Sequence, residues 1–354
     1  MLVKTGYKKG AIAPMLKLLT KILKKAPKQT NPGFTLIELL VAMIIATLVI
    51  TPLLGFMVNI LNSDRIEQAK ATSEGEIQTA IDYIAQDLEQ AVYIYNATAL
   101  GANSTTSPTT SGIKDQIPPV ATPNSTVCGD VTKCFPVLVF WKRETVKDVL
   151  SISGITKNPD DLDTTDDTFV YSLVAYYLIK GNTGSGNWSN MARIGRFQIK
   201  DGVIDPNDPT IPGTPPTTKY ARAIDSGYKG FDLTLPGSTL SDKMNLWQKN
   251  GTYTNDVLTL IDYVDKGTTA PTAPTPTQNC PTNTQRIPPL PTTATNPETG
   301  FYACVDSIST LAQVFIRGNA LARINNTNSY NAGNSSYFPT ANVQVKGRGF
   351  LGVN

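Results

Sequence analysis

An α+β fold, one long N-terminal helix packed on an antiparallel sheet with long irregular Pro/Thr-rich loops, is predicted by three observations. An apolar run extends from Phe34 to Leu61 and holds a single charge, Glu38. Beyond it Ile77, Ile81, Ile84, Leu88, Ala91 and Tyr95 recur at alternating spacings of four and three, which is one face of a 3.6-residue helix. The rest is a series of short β-branched and aromatic runs broken by Gly, Pro, Asn and Thr. A helix followed by a run of strands segregates the helix to one face of an antiparallel sheet.

The first element is long enough for a membrane. As a helix, Phe34 to Leu61 measures about 42 Å at 1.5 Å per residue, against a hydrocarbon core of roughly 30 Å. A cleavable secretory signal has an apolar core of only about 7–15 residues and a small-residue cleavage site after it. Neither feature fits here. The residues before Phe34 carry Lys4, Lys8, Lys9, Lys17, Lys21, Lys24, Lys25 and Lys28 and no acid, so this leader is expected to stay cytoplasmic and everything after Leu61 to lie outside. Within it Ile12, Met15, Leu16, Leu19 and Leu23 follow helical spacing, with lysines on another face. That pattern fits an amphipathic helix on an anionic leaflet. A long basic flank to the span is the alternative. A carboxylate at the centre of a spanning helix costs about 2.5–3.5 kcal/mol on insertion scales, so Glu38 reads as functional.

The net charge of +3 is set by the leader. Without its eight lysines, 23 basic residues face 28 acidic ones, a net of −5. This excludes a basic nucleic-acid footprint over most of the chain. Histidine is absent, which excludes Ser-His-Asp and Cys-His catalysis and HExxH zinc sites. Charged residues make up only 17%, a balance that favours an exported, loop-rich β protein.

The elements then follow in order. The helix is expected to continue through the polar stretch Asn62 to Gly75 and on to residue 96, its second half facing a core. Residues 97–126 read as an extended loop. Phe135–Trp141, Phe169–Ile179 and Ala192–Ile199 are strands, the last two a hairpin across a Gly/Asn turn. Val257–Val264 is ambiguous between strand and helix. Leu311–Ile316 and Val343–Phe350 are closing strands, and 205–218 and 267–299 are Pro/Thr-rich irregular segments. The chain thus divides into a basic leader 1–33, a membrane helix 34–61, the outer helix 62–96 and a β-rich domain 97–354.

All four cysteines, Cys128, Cys134, Cys280 and Cys304, follow the span. An even count in an oxidising compartment points to disulfides. Three connectivities exist, and proximity favours Cys128–Cys134 with Cys280–Cys304. Zinc is disfavoured because the CxxC spacing is missing. No cofactor is expected. Calcium is the weak exception, at Asp160, Asp161, Asp163, Asp166 and Asp167, yet that cluster lacks the EF-hand glycine and terminal glutamate and reads as a solvated acidic loop. Tyr171, Tyr176, Tyr177 and Trp188 would stack on sugars if exposed, but aromatics at strand spacing are more often core.

Gly33-Phe34-Thr35-Leu36-Ile37-Glu38-Leu39-Leu40-Val41 resembles the class III signal of type IV pilins and type II secretion pseudopilins. The resemblance implies cleavage after Gly33 by an aspartyl prepilin peptidase and N-methylation of the new Phe34 amine. It also implies assembly through Glu38, which would pair with the Phe34 amine of a neighbouring subunit. The spacing puts Phe34 and Glu38 at i, i+4, on one face of a helix. Pro52 removes one backbone bond and is expected to bend the helix. Many members carry such a proline a few residues later. Gln86-Asp87-Leu88-Glu89-Gln90-Ala91, a tyrosine-rich strand and a strand holding Arg193 resemble the minor class that includes pseudopilin J and pilin W. The Lys-rich leader and Thr/Pro-rich exported part are similar to the cyanobacterial pseudopilins of hormogonium polysaccharide secretion, most closely their C-type member.

The expected function is therefore that of a non-enzymatic minor pseudopilin in a filament serving polysaccharide secretion and surface motility. Its partners would be prepilin peptidase, other pilins and pseudopilins, an inner-membrane assembly platform and membrane lipid, with no nucleic acid. It would be a single-pass inner-membrane protein before processing, then a subunit of a periplasmic or surface filament. Members of the K type lack the glutamate and sit at the tip, so keeping Glu38 implies a subunit above this one. The alternatives are a pilus-tip adhesin that binds glycans or surfaces and, last, a membrane-anchored hydrolase using carboxylates.

Overall fold

The computed structural model describes residues 33–151, 165–181, 188–205, 220–267, 280–289, 300–325, 330 and 332–348. The chain divides into two compact units, Met1–Asn62 and Ser63–Asn354. Helix α1, Leu36–Glu89, supplies residues to both. In the first unit every large apolar side chain from Phe34 to Leu61 is at least 44% exposed. No residue in the most apolar stretch of this helix is buried. The helix continues through Pro52, whose missing N–H leaves the Leu48 carbonyl without its usual donor. Thr47 and Thr51 return their hydroxyls to the carbonyls of Ile44 and Thr47, at 2.9 and 2.7 Å, so these polar groups are satisfied within the helix.

In the second unit α1 buries Ala69, Ser73, Ile77, Ala80, Ile81, Ile84, Asp87 and Leu88. Five strands form one antiparallel sheet in the order β1-β2-β3-β4-β7. They are β1 (Ala91–Ile94), β2 (Cys134–Ser151), β3 (Thr165–Ile179), β4 (Ala192–Lys200) and β7 (Leu258–Val264). A second sheet, β11-β10-β9-β8, comprises β8 (Gln285–Ile287), β9 (Phe301–Asp306), β10 (Leu311–Arg317) and β11 (Thr340–Lys346). A small ribbon pairs β5 (Val203–Ile204) with β6 (Tyr220–Arg222). The helix stripe and both large sheets share one apolar core. A bridge from Val264 to Gly318 and the Asp265 N–H bond to the Arg317 carbonyl, at 2.9 Å, tie the sheets together. Gly318 lies against the helix: a Cβ there would fall 2.2 Å from Ile77 Cδ1 and 2.8 Å from Ser73 Oγ.

Several boundaries differ from the sequence reading. The helix stops at Glu89, and Ala91 and Tyr95 leave its stripe. Ala91–Ile94 is a strand buried on both faces. Tyr93 sits opposite Trp141 in the ladder, and an apolar, aromatic and β-branched run covered on both sides is satisfied by strand pairing. Residues 97–126 hold a short helix α2, Ala97–Gly101, capped by Asn96, and fully buried Ile113 and Ile117. This stretch is bonded to residues 245–253 through Ser111, Gln116 and Tyr253. Of Val257–Val264, Leu258–Val264 resolves as strand β7. Segment 267–299 is interrupted by β8, while 206–218, 268–279 and 290–299 lie outside the described residues. β11 begins at Thr340 rather than Val343, and 349–350 lie outside as well.

The hairpin of β3 and β4 is present, with Ser172 opposite Lys200 and Ile179 opposite Arg193. Two disulfides are formed, Cys128–Cys134 and Cys280–Cys304, with Cα atoms 5.3 and 5.5 Å apart. Around Trp141 the centre of the core is aromatic. Its ring meets Tyr228, Phe231 and Trp247 at 5.9, 5.3 and 5.4 Å. Its indole N–H donates to the Tyr95 hydroxyl at 3.0 Å, which donates to the Met244 carbonyl at 3.1 Å, so both buried polar tips are satisfied.

Candidate functional site

The start of α1 is built by Thr35. Its side-chain oxygen accepts the Glu38 N–H at 3.3 Å, and its carbonyl accepts the N–H groups of Glu38 and Leu39 at 3.1 Å each. Thr35 and Glu38 thus have the spacing of a capping box. Here the hydroxyl also donates to Glu38 Oε2, at a long 3.5 Å. A carboxylate in the first turn is favoured by the helix dipole. Phe34 is 81% exposed and precedes the helix, so in the uncleaved chain it shares no helix face with Glu38. That corrects the i, i+4 argument, which needs a helix starting at Phe34. A Cβ added at Gly33 would meet nothing within 4 Å. Packing therefore does not require a glycine there.

Residues 29–54 match the family described as the prokaryotic N-terminal methylation motif. The chain carries a type IV pilin-type signal. That signal implies processing by prepilin peptidase and assembly with other pilins, and the uncovered apolar helix behind it fits membrane anchoring. No curated protein and no solved structure matches the chain.

A second constellation joins the outer helix to the sheet. Asp87 of α1 accepts from Lys142 Nζ of β2 at 3.0 Å, from the Tyr176 hydroxyl of β3 at 2.6 Å and from Arg196 Nε of β4 at 2.8 Å. Lys142 also contacts Glu144 at 2.6 Å, and Glu144 contacts Lys200 at 2.9 Å. Ser172 and Gln198 donate to the same Glu144 oxygen, at 2.6 and 2.8 Å. Burial pushes the Asp87 carboxyl up, but Arg196, Lys142 and Tyr176 overcome it and hold the group below its usual range. Burial likewise raises Glu144, and Lys142, Ser172 and Lys200 bring it down to about 2.

These directions set an acid limit. A carboxyl whose folded pKa is depressed contributes stability above its unfolded pKa, about 4.3 for Glu, and loses it as pH falls towards the folded value. The thermal midpoint of the chain in detergent should therefore be flat above about pH 5 and decline between about pH 5 and 2. Circular dichroism melts across that range measure it. A midpoint unchanged down to pH 2 would remove these carboxylates from the stability of the fold.

The sequence reading passed over this network. Asp87 stood within the Gln86–Ala91 stretch and the strand was marked by Arg193. Arg193 instead lies buried with its guanidinium 5.4 Å from the Trp188 ring, and Arg196, three residues on, reaches the helix. The available signal was Lys142 and Glu144 extending an otherwise apolar strand. As for a hydrolase, Asp87 and Glu144 both engage the same lysine in the interior. That placement neutralises them and does not set them across a cleft.

The remaining candidates are dispersed. Asp160, Asp161 and Asp163 lie outside the described residues. Asp166 and Asp167 are on β3, and Asp167 accepts the Asp148 N–H at 3.0 Å. Among the described residues no group of three or more His, Cys, Asp or Glu side chains is placed to hold a metal. Tyr176 and Tyr177 are wholly buried, and Tyr171 stacks on Phe231 at 4.7 Å. Of the four aromatics proposed for sugar stacking, Trp188 alone is half exposed.

Proposed function

We propose that this chain is a minor pseudopilin. Prepilin peptidase cuts it after Gly33, the new Phe34 amine is methylated, and the mature subunit enters a type IV pilus-like or type II secretion-like filament through residues 34–61. Residues 62–354 form the exported part, periplasmic or on the cell surface. The observation that carries this reading is the pairing of the methylation motif at residues 29–54 with a helix whose apolar side chains are uncovered from Phe34 to Leu61. A bare apolar surface of that length is stable only in lipid or against other such helices.

In this reading Glu38 pairs with the Phe34 amine of the next subunit, Pro52 bends the helix, and the two disulfides brace an exported domain in an oxidising compartment. Cutting at Gly33 also removes all eight leader lysines and turns a net charge of +3 into a side-chain net of −5. The role is organisational, not catalytic. The long Lys-rich leader and Thr/Pro-rich exported part favour a filament that serves polysaccharide secretion and surface motility. Intact-mass spectrometry of the chain from membranes of a piliated host tests the processing step. The mature protein should begin at a methylated Phe34. A chain that still begins at Met1, or starts anywhere else, would overturn the proposal.

A further inference from the structure

The second unit carries an open groove lined by Arg65, Gln68, Ala69 and Thr72 of α1 and by Arg323 and Ile324. Arg323 lies in the one-turn 3-10 helix Leu321–Arg323 that follows β10. It is held in place: one terminal nitrogen bonds to Glu76, and its guanidinium lies 4.3 Å from the Tyr263 ring centre. Its Nε is buried and meets no acceptor among the described residues. Arg65 is exposed, and among the described residues no carboxylate pairs with it. Of the nearby acids, Glu67 is taken by Lys70 at 2.9 Å and Glu76 by Arg323, while Asp64 is exposed beside Arg65. The Thr72 hydroxyl and Gln68 amide add neutral donors. A groove with two guanidinium groups and neutral donors fits the oxygens of a phosphate.

Two further observations favour a lipid phosphate over a free one. Ile324 lines the same groove and is 46% exposed, so the cationic site has an apolar rim. In the sequence, Arg65 follows Leu61, the end of the exposed apolar run, by only four residues. Bilayer headgroups extend several ångströms beyond the hydrocarbon core, to a total of about 40–45 Å. We propose that this groove binds the phosphate of an anionic phospholipid headgroup. Arg65 and Arg323 hold the phosphate, and Ile324 rests on the lipid's glycerol region. This rests on the membrane reading of the Phe34–Leu61 segment.

The test uses the full chain in nanodiscs of mixed phosphatidylglycerol and phosphatidylcholine, followed by native mass spectrometry of the lipid retained in detergent. The wild type should retain phosphatidylglycerol over phosphatidylcholine by about threefold, the weight of one solvent-exposed ion pair. Arg65→Glu, a change on an exposed position, should bring the ratio to parity, and Arg65→Lys should keep part of the preference. Phosphatidylglycerol retention unchanged by Arg65→Glu would overturn the proposal. So would inorganic phosphate, followed by phosphorus NMR, that displaces the lipid at equal concentration, because that marks a free-anion site. Flotation with vesicles separates the two readings. Floating without headgroup preference sinks only the groove, whereas failure to float sinks the membrane assignment itself.

Discussion

Replacing Asp87 by Ala should destabilise the second unit by about 3–5 kcal/mol, the cost of removing one partner from a buried ion pair. The Asp87 side chain is 9% exposed and gathers one donor from each of three adjacent strands, Lys142, Tyr176 and Arg196. Without it Arg196 loses its carboxylate partner, and Lys142 keeps Glu144 alone. The desolvation of those cations is then uncompensated. Asp87→Asn preserves shape and one acceptor but removes the charge, and should fall between Ala and wild type. Glu89→Ala serves as the control. The Glu89 carboxylate is exposed and meets the Arg348 side chain at 3.7 Å, while the backbone bond from Arg348 N–H to the Glu89 carbonyl survives the change, so its loss should stay within about 0.5 kcal/mol. Urea unfolding of the three variants decides the matter. Equal midpoints for Asp87→Ala and Glu89→Ala would show that the network holds nothing. A double-mutant cycle between Asp87 and Arg196 isolates their coupling. In a filament subunit that coupling has a direct use: force on α1 passes to β2, β3 and β4 through hydrogen bonds as well as through apolar contact.

What could be read from the sequence divides along the range of the interactions. The span from Phe34 to Leu61 and the stripe Ile77, Ile81, Ile84 and Leu88 were legible because helical periodicity is local. The core strands near Phe135, Phe169, Ala192 and Leu311 were legible because β-branched and aromatic runs between turn residues are local too. Ala91 and Tyr95 continued the helical spacing by coincidence, and only their pairing with β2 reveals a strand. β9 was missed although Phe301–Asp306 is apolar, because it directly follows a Pro/Thr-rich stretch that masked its beginning. The Asp87 network joins residues up to 109 positions apart, and no spacing rule links them. At the signal, the motif is local in sequence, and the geometry shows how the first turn is built. Thr35 and Glu38 form the first turn, and Gly33 answers to no packing demand. The exit point of the Phe34 amine depends on cleavage, which lies beyond any reading of the intact chain.

Glu38→Gln should leave cleavage after Gly33 intact and reduce incorporation into filaments by about tenfold or more. Removing one partner from a buried ion pair costs about 3–5 kcal/mol, and about 1.4 kcal/mol is already a factor of ten in an equilibrium constant. The substitution keeps the side-chain shape and the first-turn hydrogen-bonding capacity, so it removes the charge without removing the cap. Thr35→Ala does the reverse. It deletes the oxygen that accepts the Glu38 N–H, costs the helix start about 1 kcal/mol and leaves the carboxylate in place. Two roles of the same turn are thereby separated. If Glu38 serves only the helix start, Thr35→Ala should harm assembly at least as much as Glu38→Gln. If it pairs with the Phe34 amine of a neighbour, Glu38→Gln should be the more damaging of the two, and the unprocessed pool in the membrane should not grow, because the peptidase acts before the amine exists. Quantitative blots of filament and membrane fractions, with intact-mass confirmation of the mature end, read both quantities. Normal incorporation of Glu38→Gln would mean that the bilayer tolerates this carboxylate for its helix-dipole contact alone, and the intersubunit pair would have to be abandoned.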